Sequence, residues 1–100
     1  MGIVGGIGAK HDADDYVRNL CAQIKVNAEN KLATHYNKFE AVSYKKQVVA
    51  GTNYFVKVHT DNGYNHYRIF VGLPVNGKEA APQLVSVQQN KSLEDDITYF

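Results

Sequence analysis

Few side chains in this sequence are equipped for covalent or metal chemistry. Cys21 is the single thiol, and a cysteine nucleophile needs a neighbouring base to hold it as thiolate. No histidine or asparagine is spaced to do that. Cys21 falls instead on an apolar run, Val17, Leu20, Cys21, Ile24, Ala28 and Leu32, stepped by three and four, which marks it as a buried structural thiol. His59 and His66 flank a turn signal and would face each other across a hairpin. Such a pair suggests a metal, but a closed zinc site needs further ligands and none is spaced to join. The expectation is a solvated histidine pair, with no metal and no cofactor. Met1 and Gly2 open a myristoylation pattern that Gly6, at the sixth position, spoils. Asn90-Lys91-Ser92 is a glycosylation sequon that would stay unused in the cytosol. Nothing here asks for an acid, a base or a nucleophile, and the chain reads as a non-enzyme.

The informative stretch is one of contact rather than catalysis. Gln47-Val48-Val49-Ala50-Gly51 lies between two runs that read as strands, residues 39–46 and 52–59, so it should be a hairpin turn. Stable tight turns favour Asn-Gly, Asp-Gly or glycine-rich tips, because their central residues often need positive φ. β-branched valine is poor there. Two valines at a tip also leave apolar surface in water, which usually marks a contact site. Strain at Val48 and Val49 would be relieved if the hairpin opened into one long strand. Two opened chains could then exchange halves as a domain-swapped dimer, inactive because the loop is gone, with the monomer as the active form.

A helix and a sheet must position that loop. Asp12 is the expected N-cap, Asp14 and Asp15 add negative charge to the first turn, and Asn37 follows Tyr36 as C-cap, about six turns in all. The second half reads as antiparallel strands. Asp61-Asn62-Gly63-Tyr64 is a turn signal centred on Asn62 and Gly63. It sets His59 opposite His66, Lys57 opposite Arg68 and Phe55 opposite Phe70. Tyr54, Val56 and Val58 then share a face with Tyr67, Ile69 and Val71 and should cover the helix stripe. The other face, with Lys57, Arg68 and the histidines, is expected to be wet. A last strand near residues 83–89 has Val85 and Val87 on one face, and the end, Ile97-Thr98-Tyr99-Phe100, should dock on the body.

The chain of 100 residues, 44% of them hydrophobic, is expected to form a single domain over 1–100 with one modest core. Eleven basic and ten acidic residues leave a net charge of +1, which gives no electrostatic reason to bind nucleic acid or an anionic membrane. One cysteine precludes an internal disulfide and fits a reducing compartment. The opening residues lack the basic start and apolar run of a signal peptide, and no stretch reaches transmembrane length. These features together predict a cytoplasmic location. In an up-and-down sheet alternate turns share an end. The 47–51 turn, the second apolar tip at Leu73 and Pro74, and the glycine-broken arm before the helix should therefore converge on one edge.

Those residues carry a resemblance. Gln47-Val48-Val49-Ala50-Gly51 resembles the Q-x-V-x-G signature of the cystatins, tight-binding inhibitors of papain-like cysteine proteases. The chain more closely resembles the stefins, their single-domain intracellular branch without disulfides. The likeness runs through residues 47–59, the Gly5-Gly6 arm, Leu73 with Pro74, and the Thr98-Tyr99-Phe100 ending, so it covers nearly the whole chain. It implies an α+β fold, a four- to five-stranded antiparallel sheet wrapped around one long helix. It also implies a wedge of arm and two loops that enters the protease cleft. The contact residues carried over are Val4, Gly5, Gly6, Gln47, Val48, Val49, Ala50, Gly51, Leu73 and Pro74, with either Gly5 or Gly6 as the pivotal arm glycine. A non-inhibitory binding protein, or a self-associating one, could use the same edge. A ligand-binding pocket between helix and sheet would need convergent polar groups on the inner face. The inner face assigned above is Val, Ile, Tyr and Leu.

Overall fold

The computed structural model describes residues 6–100 of the chain. The helix, α1, spans Asp15–Leu32. Its N-cap is Asp14, whose Oδ1 accepts from the Val17 amide at 2.9 Å and whose Oδ2 accepts from the Tyr44 hydroxyl, also at 2.9 Å. The backbone bond, then the tyrosine, hold the Asp14 carboxyl below the usual carboxylate range. Asp12 was the expected cap; Tyr44 selects among the three aspartates, and Asp12 joins a strand instead. Asp14→Ala should lower the unfolding free energy by about 1–2 kcal/mol in a urea titration, because it removes a cap and leaves the Tyr44 hydroxyl without its acceptor.

The helix also ends sooner than the expected stop near Asn37. Ala33 turns left-handed (φ 51°, ψ 47°), and its N–H reaches the Asn30 carbonyl while the Thr34 N–H reaches that of Glu29 at 3.0 Å. This is a Schellman closure. The Glu29 carboxylate then takes the Tyr36 N–H at 2.8 Å, and Asp61 takes those of Asn37 and Lys38. Beyond that closure the amides of Tyr36, Asn37 and Lys38 are bound to carboxylates rather than to helix carbonyls, and the helix ends at five turns (18 residues).

Five strands follow or flank it: β1 His11–Asp12, β2 Phe39–Val49, β3 Gly51–Thr60, β4 Gly63–Val71 and β5 Gln83–Lys91. They form one sheet in sequence order, every pair antiparallel. Tyr44, Val56, Val58, Tyr67, Ile69 and Val71 pack against Val17, Leu20, Cys21, Ile24 and Ala28, with Leu32 and Tyr54 at the margin. The expected inner face is therefore the observed core.

The register across β3 and β4 differs by two residues from the expected one. Thr60 pairs with Gly63, so Asp61 and Asn62 form the turn, and His59 faces Tyr64 while Lys57 faces His66. Neither Asp61 nor Asn62 has positive φ; Gly63 does, at 109°. The Thr60 hydroxyl accepts from the Asn62 N–H at 3.1 Å and donates to the Gly63 carbonyl at 3.0 Å, which fixes the turn there. A slip of two keeps every side chain on its face, so the core assignment survived it. The histidines do not pair: His59 stacks on Tyr64 with ring centroids 4.4 Å apart.

The outer face is not wet. Residues 92–100 fold back across it as a strap. Buried Lys57 donates its ammonium to the carbonyls of Leu93 and Asp95, the latter at 2.6 Å. Ile97 is buried, and the rings of Tyr99 and Phe100 each lie 5.6 Å from that of Phe55. The C-terminal residues thus dock as expected, and in doing so they dry the face expected to be solvated. Under the strap His66 is fully buried, and neither ring nitrogen has a hydrogen-bond partner among the described residues. On β5, Arg68 pairs with Ser86 but Ile69 with Leu84, so Val85 is an extra residue. Leu84 and Val87 reach the core while Val85 is exposed, which corrects the placement of Val85 and Val87 on one face.

Candidate functional site

The first loop is tighter than its sequence suggests. β2 runs to Val49 and β3 begins at Gly51, leaving Ala50 alone between them. The expected strain at the valines is absent, since neither has positive φ; the bend is taken by Gly51, at φ 111°. A Cβ at Gly51 would lie 2.6 Å from the Val71 carbonyl oxygen and 2.8 Å from the Phe70 ring. Gly51 is thus where the first loop leans on the end of β4. Gln47, at the other foot, is 2% exposed, and its Oε1 accepts from Asn53 Nδ2 at 3.0 Å. The feet are buried and the tip is not: Val48 is 72% and Val49 43% exposed, and Ala50 is exposed.

Leu73 and Pro74 begin the second loop, and both are exposed, Leu73 at 61%. Val48 and Val49 line one wall of a groove whose other wall includes Leu73 and Pro74. The two loops are alternate turns, β2 to β3 and β4 to β5, and meet at the same end of the sheet, as up-and-down topology requires. No residue among Gln47, Val48, Val49, Ala50, Gly51, Leu73 and Pro74 is ionisable. The surface these side chains offer is apolar, with Glu79 also lining the groove between them.

The arm approaches the same end. The Gly8 N–H donates to the Lys46 carbonyl at 2.9 Å, one residue before Gln47, and His11 pairs with Tyr44. Residues 8–12 are therefore pinned along β2, and Gly6, which is exposed, precedes that pinned stretch. Val4 and Gly5 lie outside the described residues.

Two further residues lie beside the loops, and of these only Tyr16 escaped the sequence reading. Val75, 67% exposed, starts a miniature hairpin in which it pairs with Lys78 around Asn76 (φ 53°) and Gly77 (φ 77°). Asn-Gly with both φ positive is the type I′ signal, and the dipeptide closes the tip that the sequence places at residues 73–77. Tyr16, 43% exposed at the start of α1, lines the groove between the loops and packs on Tyr54. Only the tertiary fold brings it there.

The groups with reactive potential lie elsewhere. Cys21 is buried against the sheet, and burial pushes its thiol up to about 12, far from a reactive thiolate. Among the described residues no set of three or more His, Cys, Asp or Glu is placed to hold a metal ion, and no helix is long and apolar enough to cross a membrane.

Comparison with known proteins gives this architecture its relatives. A sequence model of the cystatin domain matches residues 21–94. The chain is 48% identical over 99 residues to Cystatin-A3 of Dictyostelium discoideum, covering 98% of this chain and 100% of that protein. It is 39% identical over 97 residues to Cystatin-B of Homo sapiens, covering 96% and 97%. It is 37% identical over 99 residues to leukocyte cysteine proteinase inhibitor 1 of Sus scrofa, covering 98% and 94%. A domain match over most of the chain and near full-length relatives agree with one helix packed on a five-stranded antiparallel sheet: the chain belongs to the cystatin family.

Proposed function

We propose that this protein is a reversible, tight-binding inhibitor of papain-like cysteine proteases that blocks the active-site cleft with its apolar edge. The observation that carries the reading is the groove-sharing of the two loops, Val48 and Val49 against Leu73 and Pro74, with all four side chains bare of charge. Ala50 and its neighbours, on buried feet at Gln47 and Gly51, form the first tip; Val4, Gly5 and Gly6 supply the arm. A cleft of this kind is apolar on both sides of its thiol. Two rigid tips enter it with little loss of conformational entropy, which favours tight binding. Occlusion needs no acid, base or nucleophile, so the protein is not an enzyme. The monomer is the active form on this reading. Exchange of halves about Ala50 would convert the loop to continuous strand and remove the edge. A lone buried cysteine fits a reducing compartment, and the cytoplasm is the location the reading assigns.

The test is titration of papain, active and with its thiol capped by a small group, followed by mass spectrometry of the recovered inhibitor. Stoichiometric, reversible inhibition with the chain recovered intact is expected, and the capped enzyme should still bind. Binding that vanishes on capping, or cleavage within residues 47–51, would mean a substrate mimic instead. Val48→Asp should weaken binding by about 2 kcal/mol, roughly thirtyfold, because it carries a charge into an apolar slot. The melting temperature should stay put, since that side chain is 72% exposed in the free protein.

A further inference from the structure

A polar relay runs beneath the first loop on the outer face of the sheet. Its head is the Arg68 guanidinium, half-buried on β4. Arg68 Nε donates to Asn53 Oδ1 at 3.3 Å, and Asn53 Nδ2 donates to Gln47 Oε1 at 3.0 Å. On its other side, Arg68 Nη1 donates to the Phe100 carbonyl at 2.9 Å and lies 3.4 Å from the Tyr99 hydroxyl. The guanidinium carbon sits 5.1 Å from the Tyr99 ring centroid and 5.6 Å from that of Phe55. Asn53 and Gln47 are both buried.

The direction of this relay is dictated by one residue. A guanidinium has donors and no acceptor, so the Asn53 amide must turn its oxygen to Arg68 and its NH₂ to Gln47. Gln47 must then turn its oxygen to Asn53 and direct its own NH₂ elsewhere. Gln47 is the foot of the loop that carries Val48 and Val49. We propose that Arg68 is a positioning residue for the first loop: through Asn53 it sets the sense of the Gln47 amide and so pre-forms the loop for its partner, while Tyr99 and Phe100 hold the guanidinium in place. The proposal rests on the inhibitor reading above. Lysine cannot substitute, because a single ammonium lacks the planar fork that reaches Asn53 and Phe100 at once.

Arg68→Lys, Asn53→Asp and the double variant test this, with Asp14→Ala as a control that loses stability at the helix cap instead. Asn53→Asp keeps an acceptor for Arg68 and deletes the donor to Gln47. The first readout is amide hydrogen exchange of residues 47–53 in the free protein, which needs no protease. The second is the association and dissociation rates with papain. Both single variants should speed exchange of the loop's ladder amides at least tenfold, and weaken inhibition by the reciprocal of the fraction of molecules that still hold the competent loop. The double variant should be no worse than either single one. Asp14→Ala should lower melting and leave both readouts alone. The proposal is overturned if Arg68→Lys only lowers melting, with loop exchange and inhibition as in Asp14→Ala, or if the single effects add. Failure of the wild-type protein to inhibit papain would instead sink the inhibitor reading, and the exchange data would still decide whether the relay orders the loop.

Discussion

Gly51→Ala should lower the unfolding free energy of the free protein by about 3 kcal/mol. Two terms contribute. At φ 111° an L side chain is strained, at about 1–2 kcal/mol. The new methyl would also lie 2.6 Å from the Val71 carbonyl oxygen, 2.8 Å from the Phe70 ring and 3.0 Å from the Gly72 Cα. Two of those three neighbours are backbone, which cannot swing aside, and overpacking of this kind costs about 1–3 kcal/mol. Gly77→Ala separates the terms: Gly77 has φ 77° but open space around it, so that variant should lose only about 1 kcal/mol. Urea denaturation of the two variants beside wild type measures both. Gly51→Ala within 0.5 kcal/mol, roughly the scatter of neutral surface changes, would show that the end of β4 yields easily. If Gly51→Ala does destabilise, inhibition should fall with it, because the methyl displaces the first loop from the Val71 end of the sheet.

The second large effect is one of pH. Burial, then the nearby ammonium groups of Lys57 and Lys91, push His66 down to about 4. Asp95 and Asp96 on the strap oppose that shift without cancelling it. The folded protein therefore prefers the neutral ring, whereas the unfolded chain binds a proton near pH 6.5. The stability from this site is complete above about pH 6.5 and lost as the pH falls towards 4, where both states are protonated. The drop should be about 3 kcal/mol, from the separation of the two values at 1.36 kcal/mol per unit. Carboxylates held low, at Asp14, Asp61, Asp95 and Asp96, lose their contribution as the unfolded chain protonates its aspartates, from about pH 5 downward, so they overlap only the acid end of that window. Unfolding free energies of wild type and His66→Gln from pH 7 to pH 4 provide the measurement. The variant should be flat from pH 7 to about 5, where wild type already slopes, and parallel curves there would remove His66 as the cause.

Much of this architecture was legible in the residues, and the gaps have physical causes. Steps of three and four from Val17 to Leu32 marked a helix face, and alternation from Tyr54 to Val58 marked the strand face that covers it. Strand parity is robust to a two-residue slip, so the wrong turn centre left the core intact. The cap was harder, because three aspartates within four positions were equal candidates until Tyr44 chose among them. The docking of the C-terminal end was legible in its apolar residues, but the face it covers was not, for a related reason. Lys57 and His66 look solvated in sequence, and Lys57 becomes tolerable in a buried place only when folding delivers the carbonyls of Leu93 and Asp95. The loops of the candidate edge stood out early through their misplaced valines. The burial of Gln47 and the packing of Gly51 did not, since both depend on β4 and the strap.

The irregular places in the sheet share one property: each extra residue lies outside the central β3–β4 pair. Val42 is added on β2, where only the two residues of β1 flank it, and Val85 and a residue between Gln88 and Lys91 are added on β5. β3 and β4 pair with each other without interruption. A foreign strand adding to β5 would have to match hydrogen-bond spacing that breaks twice in nine residues. On β2 the carbonyl of Val42 is already taken by the Ala13 amide at 3.0 Å. The sheet is thus smooth where it must hold its core and uneven where another strand could extend it, a geometry that hinders edge-to-edge pairing.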